Sequence, residues 1–195
     1  NLVCQNNPFT ELDLTNNPKL EVLWCFYTDM LNPPGTLKTV KLSENATELK
    51  DVLLYNNIIT NLDLSKYTNL NNVRVSNNRL ACLDLTNSPN ILDFTGINQK
   101  VDLGKIAPDQ YDLRNYDSNI DPTRISNVTG ATFTGTVMSG YTEGTPVTYD
   151  YACDDNGHTM NVTISFTIAA PFNITYKDGS DDFNNWVAGY TPPVI

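Results

Sequence analysis

The chain has 195 residues and a formal net charge of −10, with 12 Lys and Arg against 22 Asp and Glu. This length suits one or two domains with a sizeable core. The acidic balance, without a basic cluster, argues against nucleic acid or an anionic membrane surface as a partner. The chain has one His and no compact set of carboxylates, which argues against an enzyme. It has no run of 18 apolar residues, so the sequence predicts no transmembrane helix.

A repeat of 21 residues dominates the first half of the chain. The tripeptide Leu-Asp-Leu occurs at 12–14, 62–64 and 83–85, and the last two copies are 21 residues apart. Cys4 and Cys25 keep the same offset, and so do the Asn pairs at 56–57 and 77–78. The second repeat is irregular, because the interval from Cys25 to Leu54 is 29 residues.

Each repeat also contains a unit with the spacing LxxLxL. In a strand, the last two apolar residues of this unit point to one side and the residue between them points to the other. A single repeat cannot bury both sides of its leucines, so the repeats must stack. We therefore predict a mainly β, right-handed solenoid over residues 1–104, with about four to five coils of 21 residues and little helix.

The repeat resembles a known family of bacterial surface proteins. Residues 77–89, Asn-Asn-Arg-Leu-Ala-Cys-Leu-Asp-Leu-Thr-Asn-Ser-Pro, resemble the NNxLTxLDLSxNP pattern of the internalin leucine-rich repeats, specifically their cysteine-containing 21-residue type. Cys occupies the family's ladder position at Cys4 and Cys25, while Leu54 and Val75 replace it later. The resemblance covers residues 2–103 and implies an extracellular location at the bacterial cell surface and a role in adhesion.

The second half of the chain lacks the 21-residue repeat and has a different sequence pattern. Residues 105–125 read as an irregular capping connection. Residues 126–170 alternate apolar and polar side chains, which indicates strands at 131–137, 147–153 and 160–168, with a hairpin at Asn156-Gly157. This stretch resembles a small Ig-like module, and its size predicts a core shared with the last coil. Residues 171–195 resemble the start of a Listeria–Bacteroides B repeat, or a linker, which implies a fragment of a longer multi-module surface protein.

The acidic residues and the single histidine favour structural interpretations. We expect His158 to lie exposed in a turn. The carboxylates of Asp154-Asp155 and Asp181-Asp182 are adjacent in sequence, so they should point apart rather than form a catalytic pair. The aspartates at the middle of the Leu-Asp-Leu tripeptides should support turns through Thr15, Ser65 and Thr86, although they could instead line a cation or a basic partner. These aspartates are Asp13, Asp63, Asp84 and, less regularly, Asp102.

The cysteines are interpreted as core residues rather than ligands. Cys4 and Cys25 should stack in neighbouring coils as small apolar filler, and Cys153 shares a face with apolar residues. Cys82 precedes the inward Leu83, so we expect it to face outward or into a crevice. A Cys82–Cys153 bridge stays open at this stage. The sequence predicts no catalytic residues, no metal site and no cofactor.

The concave face of the predicted solenoid carries the candidate site. Outward positions of the strands bring together aromatic and apolar residues with two charges at their border, and such patches mark binding surfaces. Two alternatives remain open here: preceding coils could cover the patch, or a one-residue slip of phase would bury Trp24 and expose Leu23. The candidate partner-binding residues are Trp24, Phe26, Leu53, Tyr55, Asp51 and Arg74.

These residues predict a non-enzymatic extracellular binding module. Its partner is expected to be a protein, and with less support a glycan, recognised through the concave face. The alternative is a structural spacer or stalk segment in a multi-module surface protein. We expect the fragment to be monomeric.

Overall fold

The computed structural model describes residues 1–28 and 35–170. The described part of the chain is mainly β, with almost no helix: two short 3-10 turns lie at Leu113–Asn115 and Pro122–Arg124. The segment 171–195, with Asp181-Asp182 and the predicted B-repeat start, lies outside the described residues. The strands are β1 Leu2–Val3, β2 Glu11–Leu14, β3 Val22–Trp24, β4 Thr39–Leu42, β5 Asp51–Leu53, β6 Asn72–Arg74, β7 Asp93–Thr95, β8 Gln99–Ile106, β9 Gln110–Asp112, β10 Ile125–Thr129, β11 Thr132–Thr134, β12 Val137–Ser139, β13 Val147–Ala152 and β14 Thr159–Ile168.

One strand from each repeat joins a parallel sheet of five strands, in the order β1-β3-β5-β6-β7. Its register aligns Leu23, Val52, Val73 and Phe94 as direct neighbours. Three of these, Leu23, Val52 and Val73, are fully buried. The strands on either side of the longer second repeat therefore pair in the same register as the others. Strands β2 and β4 form a separate parallel pair.

Buried amide side chains connect successive repeats. Asn57, Asn78 and Gln99 each donate to the carbonyl three residues earlier and to the matching carbonyl of the preceding repeat. The amide oxygens of Asn78 and Gln99 accept from backbone N–H groups of the intervening loops. We call these three residues the amide ladder. Buried backbone groups need such partners, so the ladder lets a non-helical turn be buried. Its donated bonds are Asn57 to Leu54 at 3.1 Å and Cys25 at 2.8 Å, Asn78 to Val75 and Leu54 at 2.9 Å each, and Gln99 to Gly96 at 3.0 Å and Val75 at 2.9 Å.

The residue before each rung turns the chain in the left-handed region. Asn56, Asn77 and Asn98 have φ values of 59°, 57° and 60° and are spaced by 21 residues. Asparagine tolerates this conformation better than other residues with a Cβ. The Asn-rich composition of the first half therefore has a specific cause: one Asn sets the turn and the next position supplies a ladder amide.

The aspartates of the Leu-Asp-Leu tripeptides support turns, which confirms the structural interpretation. Asp13 accepts from the backbone N–H of Thr15 at 3.1 Å and from its hydroxyl at 2.7 Å. Asp63 and Asp84 make the same two bonds with Ser65 and Thr86. These carboxylates are exposed, but each already accepts two hydrogen bonds within its own turn.

The second half continues from the first without a break in the core. β8 pairs in parallel with β14, inside a four-stranded sheet of order β10-β13-β14-β8. A three-stranded sheet, β11-β12-β9, completes the module. Buried residues of both halves belong to one continuous hydrophobic core, as the small size of the module predicted. At the junction, a Cβ on Gly96 would lie 2.6 Å from Cγ of Met160, so only glycine permits this close approach.

Two local predictions, one in each half of the chain, need correction. Residues 131–137 do not form one strand, because a turn at Gly135, with φ of 60°, folds them into the hairpin β11–β12. Of the two positions predicted for Cys82, the outward one is wrong and the crevice is correct: Cys82 is buried at a cavity that Asp117 also lines, and its thiol donates to Oδ2 of Asp117 at 3.3 Å. All four cysteines are free thiols, so the Cys82–Cys153 bridge is not formed.

The amide ladder predicts a large cost for removing one rung. Asn78→Ala leaves the buried N–H of Ile59 without a partner. The carbonyls of Leu54 and Val75 each lose one of two amide donors and keep the other, from the neighbouring rung. We therefore expect the substitution to lower the free energy of unfolding by about 1–3 kcal/mol. Equilibrium urea denaturation measures the loss. The matched control is Asn61→Ala at an exposed loop position, with an expected change under about 0.5 kcal/mol. Equal effects of the two substitutions would contradict a structural role for the ladder.

Candidate functional site

The outward residues of the five-stranded sheet form three rows, which together we call the outer face. Strand pairing sets the first two rows. Backbone hydrogen bonds just beyond the strand ends, such as Tyr27 N–H to the Tyr55 carbonyl at 3.3 Å, set the third. This is the surface predicted as the concave face. The first row is Val22, Asp51, Asn72 and Asp93; the second is Val3, Trp24, Leu53, Arg74 and Thr95; the third is Gln5, Phe26, Tyr55, Ser76 and Ile97.

The middle row combines a partly exposed indole with a buried leucine. Leu23 is 0% exposed and Trp24 is partly exposed, so the one-residue slip of phase does not occur. Leu53 is only 8% exposed, and its prediction as an exposed contact residue is therefore wrong. The reason is its position between Trp24 and Arg74 in register, because both neighbours have longer side chains about 4.8 Å away. Leu53 forms an apolar floor beneath them.

Two aromatic rings stack in the third row. Phe26 and Tyr55 have ring centroids 4.4 Å apart and planes inclined by 15°. Both are half-buried, and burial raises the pKa of the Tyr55 hydroxyl, although nearby Arg74 opposes the shift. The stack therefore joins two neighbouring strands, and Trp24 lies next to it in the adjacent row.

Of the three charged side chains on the outer face, two form an ion pair with each other and the third does not. Arg74 donates to Oδ2 of Asp93 through Nε at 3.1 Å and also through Nη2, and these bonds raise the pKa of Arg74. Asp51 has no ion-pair partner among residues 1–28 and 35–170. The face therefore offers one uncommitted carboxylate and no uncommitted cation within its three rows.

Three buried polar atoms without a hydrogen-bond partner all belong to the outer face. In the described part of the chain these are Nε1 of Trp24, Oδ1 of Asn72 and Oγ of Ser76. Unsatisfied buried polar atoms are few in folded proteins, so three on one face mark it as unusual. Asn72 and Ser76 are not among the candidate residues predicted from the sequence. The alternation of side chains along a strand predicts that both residues point outward. The sequence does not indicate that their polar atoms lack hydrogen-bond partners.

The single histidine lies away from this face and is not exposed, contrary to the prediction. His158 is in the connection between β13 and β14, where its side chain is 22% exposed. Its Nδ1 is 2.5 Å from Oδ2 of Asp154, whose own side chain is only 2% exposed. The ring also packs against Phe94 of β7, with centroids 5.2 Å apart. The pair thus helps hold the module against the last strand of the five-stranded sheet.

The cysteines and carboxylates do not assemble a metal site in the described residues. No group of three or more His, Cys, Asp or Glu is arranged to hold a metal ion there. Burial, together with the neighbouring Asp117, raises the pKa of the Cys82 thiol, so this thiol stays protonated and poorly nucleophilic. Asp154 is buried whereas Asp155 is exposed, which matches the prediction that the adjacent carboxylates diverge.

Comparisons with known proteins give one distant structural likeness. No family model matches the chain, and no curated protein matches it. The chain is similar to the functional domain of InlJ from Listeria monocytogenes, a structure that includes a cysteine ladder. The TM-score is 0.35 and the identity 18%, over 84% of this chain and 47% of that chain. The chain thus spans about half the length of that domain, and a likeness this distant does not define a family. No helix within the described ranges has the length and apolarity needed to cross a membrane.

The His158–Asp154 pair predicts an acid-dependent loss of stability. Burial alone would raise the pKa of Asp154, but hydrogen bonds from the His158 ring and from the N–H groups of His158 and Asn156 lower it overall. A carboxyl with a depressed folded pKa stabilises fully above its unfolded pKa, near 3.9, and loses that stabilisation as the pH falls through the folded pKa. We therefore expect Asp154→Asn to flatten the decline of unfolding free energy below about pH 4.

Urea denaturation at a series of pH values measures this effect. The control is Asp155→Asn, which neutralises an exposed carboxylate one residue away. It should keep the acid dependence of the unsubstituted protein. If Asp154→Asn showed the same acid dependence as the unsubstituted protein, the buried pair would not be its source.

Proposed function

We propose that residues 1–104 form a leucine-rich-repeat solenoid whose outer face binds a protein partner, and that the chain is a non-enzymatic recognition module of a bacterial cell surface. The observation that carries this proposal is the cluster of Trp24, Phe26 and Tyr55 on neighbouring strands of one sheet face. Phe26 and Tyr55 stack, Trp24 lies in the adjacent row, and three partly exposed aromatic side chains on one face are costly to leave on a solvated surface.

The composition of the face supports a protein interface. Trp, Tyr and Arg are the residue types most enriched at interaction hot spots, and here they lie in one patch with Leu53 beneath them. Polar residues lie at one border of the patch, where Asn72 and Ser76 flank Arg74. An apolar centre with a polar rim is the usual arrangement of a binding surface.

The positions of the reactive side chains support the non-enzymatic part of the proposal. His158 is committed to Asp154 and packs against Phe94, so it supports the junction between the two halves. The buried Cys82 thiol has a raised pKa and donates to Asp117. Neither group faces the aromatic cluster. The surface location is supported by the resemblance of the repeat to internalins.

The binding face can be tested with a defined panel. The unsubstituted chain is labelled and screened against immobilised purified extracellular protein domains and against a glycan array, with Trp24→Ser tested in parallel. We expect protein hits whose affinity falls at least tenfold in Trp24→Ser, because an aromatic hot spot contributes 2 kcal/mol or more, on the order of 30-fold. Leu92→Ser is the matched control, since Leu92 is 83% exposed and lies outside the three rows.

Each outcome decides between the candidates. Hits weakened by Trp24→Ser but not by Leu92→Ser support the proposal. Hits confined to the glycan array would replace the protein partner with a carbohydrate. An absence of hits from a folded chain, or hits insensitive to Trp24→Ser, would favour the spacer interpretation. Circular dichroism melting curves verify that both variants are folded.

A further inference from the structure

We propose that the partner of the outer face inserts a lysine side chain, whose ammonium group binds Asp51 and whose alkyl stem lies along Trp24. This inference rests on the proposed function and specifies the chemistry of the partner. It follows from the distribution of donors, acceptors and apolar surface over the first two rows.

The first row has more acceptors than donors. Asp51, Asn72 and Asp93 are neighbours in register on three adjacent strands. Asp93 accepts from Arg74, but Asp51 has no ion-pair partner and Oδ1 of Asn72 has no donor among the described residues. An incoming group that only donates would correct this imbalance, and an ammonium group carries three donors and no acceptor.

The second row provides a surface for an aliphatic stem. Trp24 pairs with Leu53 and Val22 pairs with Asp51, so Trp24 and Asp51 are diagonal neighbours on the same face. Strand spacing and rise place their Cα atoms about 8 Å apart. A lysine stem spans such a distance over Leu53 while its charged end reaches the carboxylate. A cation beside an indole gains a further electrostatic attraction.

Charge complementarity favours the same occupant. The chain carries a net charge of −10, so its field attracts basic partners and repels acidic ones. Arg74 is the cation of the three rows and is already bonded to Asp93, which leaves little to recognise an anionic group. A compact ammonium also suits a single carboxylate, whereas a guanidinium is shaped for bidentate pairing.

A model peptide tests the proposal without knowledge of the partner. The probe is a labelled decapeptide of alternating Gly and Lys, compared with the same peptide in which every Lys is acetylated, by fluorescence polarisation at 0.15 M NaCl. Acetylation removes the charge and keeps the chain length. We expect binding of the Lys peptide, at least ~5-fold weaker in Asp51→Asn, and no detectable binding of the acetylated peptide.

The matched control is Asp109→Asn, which removes one negative charge from an exposed position between β8 and β9. It should weaken binding by less than about twofold, because only long-range attraction changes. Equal weakening by Asp51→Asn and Asp109→Asn would mean diffuse attraction and would overturn the lysine site. Peptide binding that is unchanged in Trp24→Leu would overturn the placement of the stem.

The result is separable from that of the panel screen. If protein hits depend on Trp24 but the Lys peptide does not distinguish Asp51→Asn from Asp109→Asn, the binding face stands and the lysine anchor is wrong. If the panel hits are insensitive to Trp24, the proposed function fails whatever the peptide does.

Discussion

The buried amide ladder is the constraint on which the rest of the first half depends. Each repeat must turn its backbone within the core, where water cannot satisfy the carbonyl groups. Asn57, Asn78 and Gln99 supply the missing donors and bond to two successive repeats at once. The ladder thereby fixes how far one repeat is displaced from the next. That displacement aligns the strands, and the strand register then places the side chains of the outer face in rows.

The last rung also explains how the repeats connect to the module. Gln99 occupies the position of Asn57 and Asn78 and makes the equivalent bonds, with one more methylene in its side chain. It is also the first residue of β8, which pairs with Val162 and the following residues of β14. One residue thus ends the ladder and begins the shared sheet. Because the two halves share this strand and one core, their stabilities should be coupled.

Sequence reasoning succeeded where a local rule determines the structure. Period-two parity put Leu23 inside and Trp24 outside, and the spacing of Asp13 and Thr15 predicted a local turn bond. It failed where contacts from distant residues decide. The burial of Cys82 depends on Asp117, 35 residues later, and the burial of Leu53 depends on the sizes of its neighbours in register. The unpaired atoms of the outer face could not be predicted, because a missing partner leaves no pattern.

The aromatic residues of the outer face lie on both sides of the irregular second repeat. Trp24 and Phe26 precede the longer interval and Leu53 and Tyr55 follow it, so the aromatic cluster spans the one junction where the 21-residue spacing fails. The rung Asn57 crosses the longer interval and donates to the Cys25 carbonyl at 2.8 Å, whereas position 28, the ladder position before the interval, holds Thr. The Phe26–Tyr55 stack adds cohesion at this junction. Trp24 is not part of that stack, and its indole Nε1 has no hydrogen-bond partner in the described part of the chain, so the cohesion of the junction does not account for its outward position.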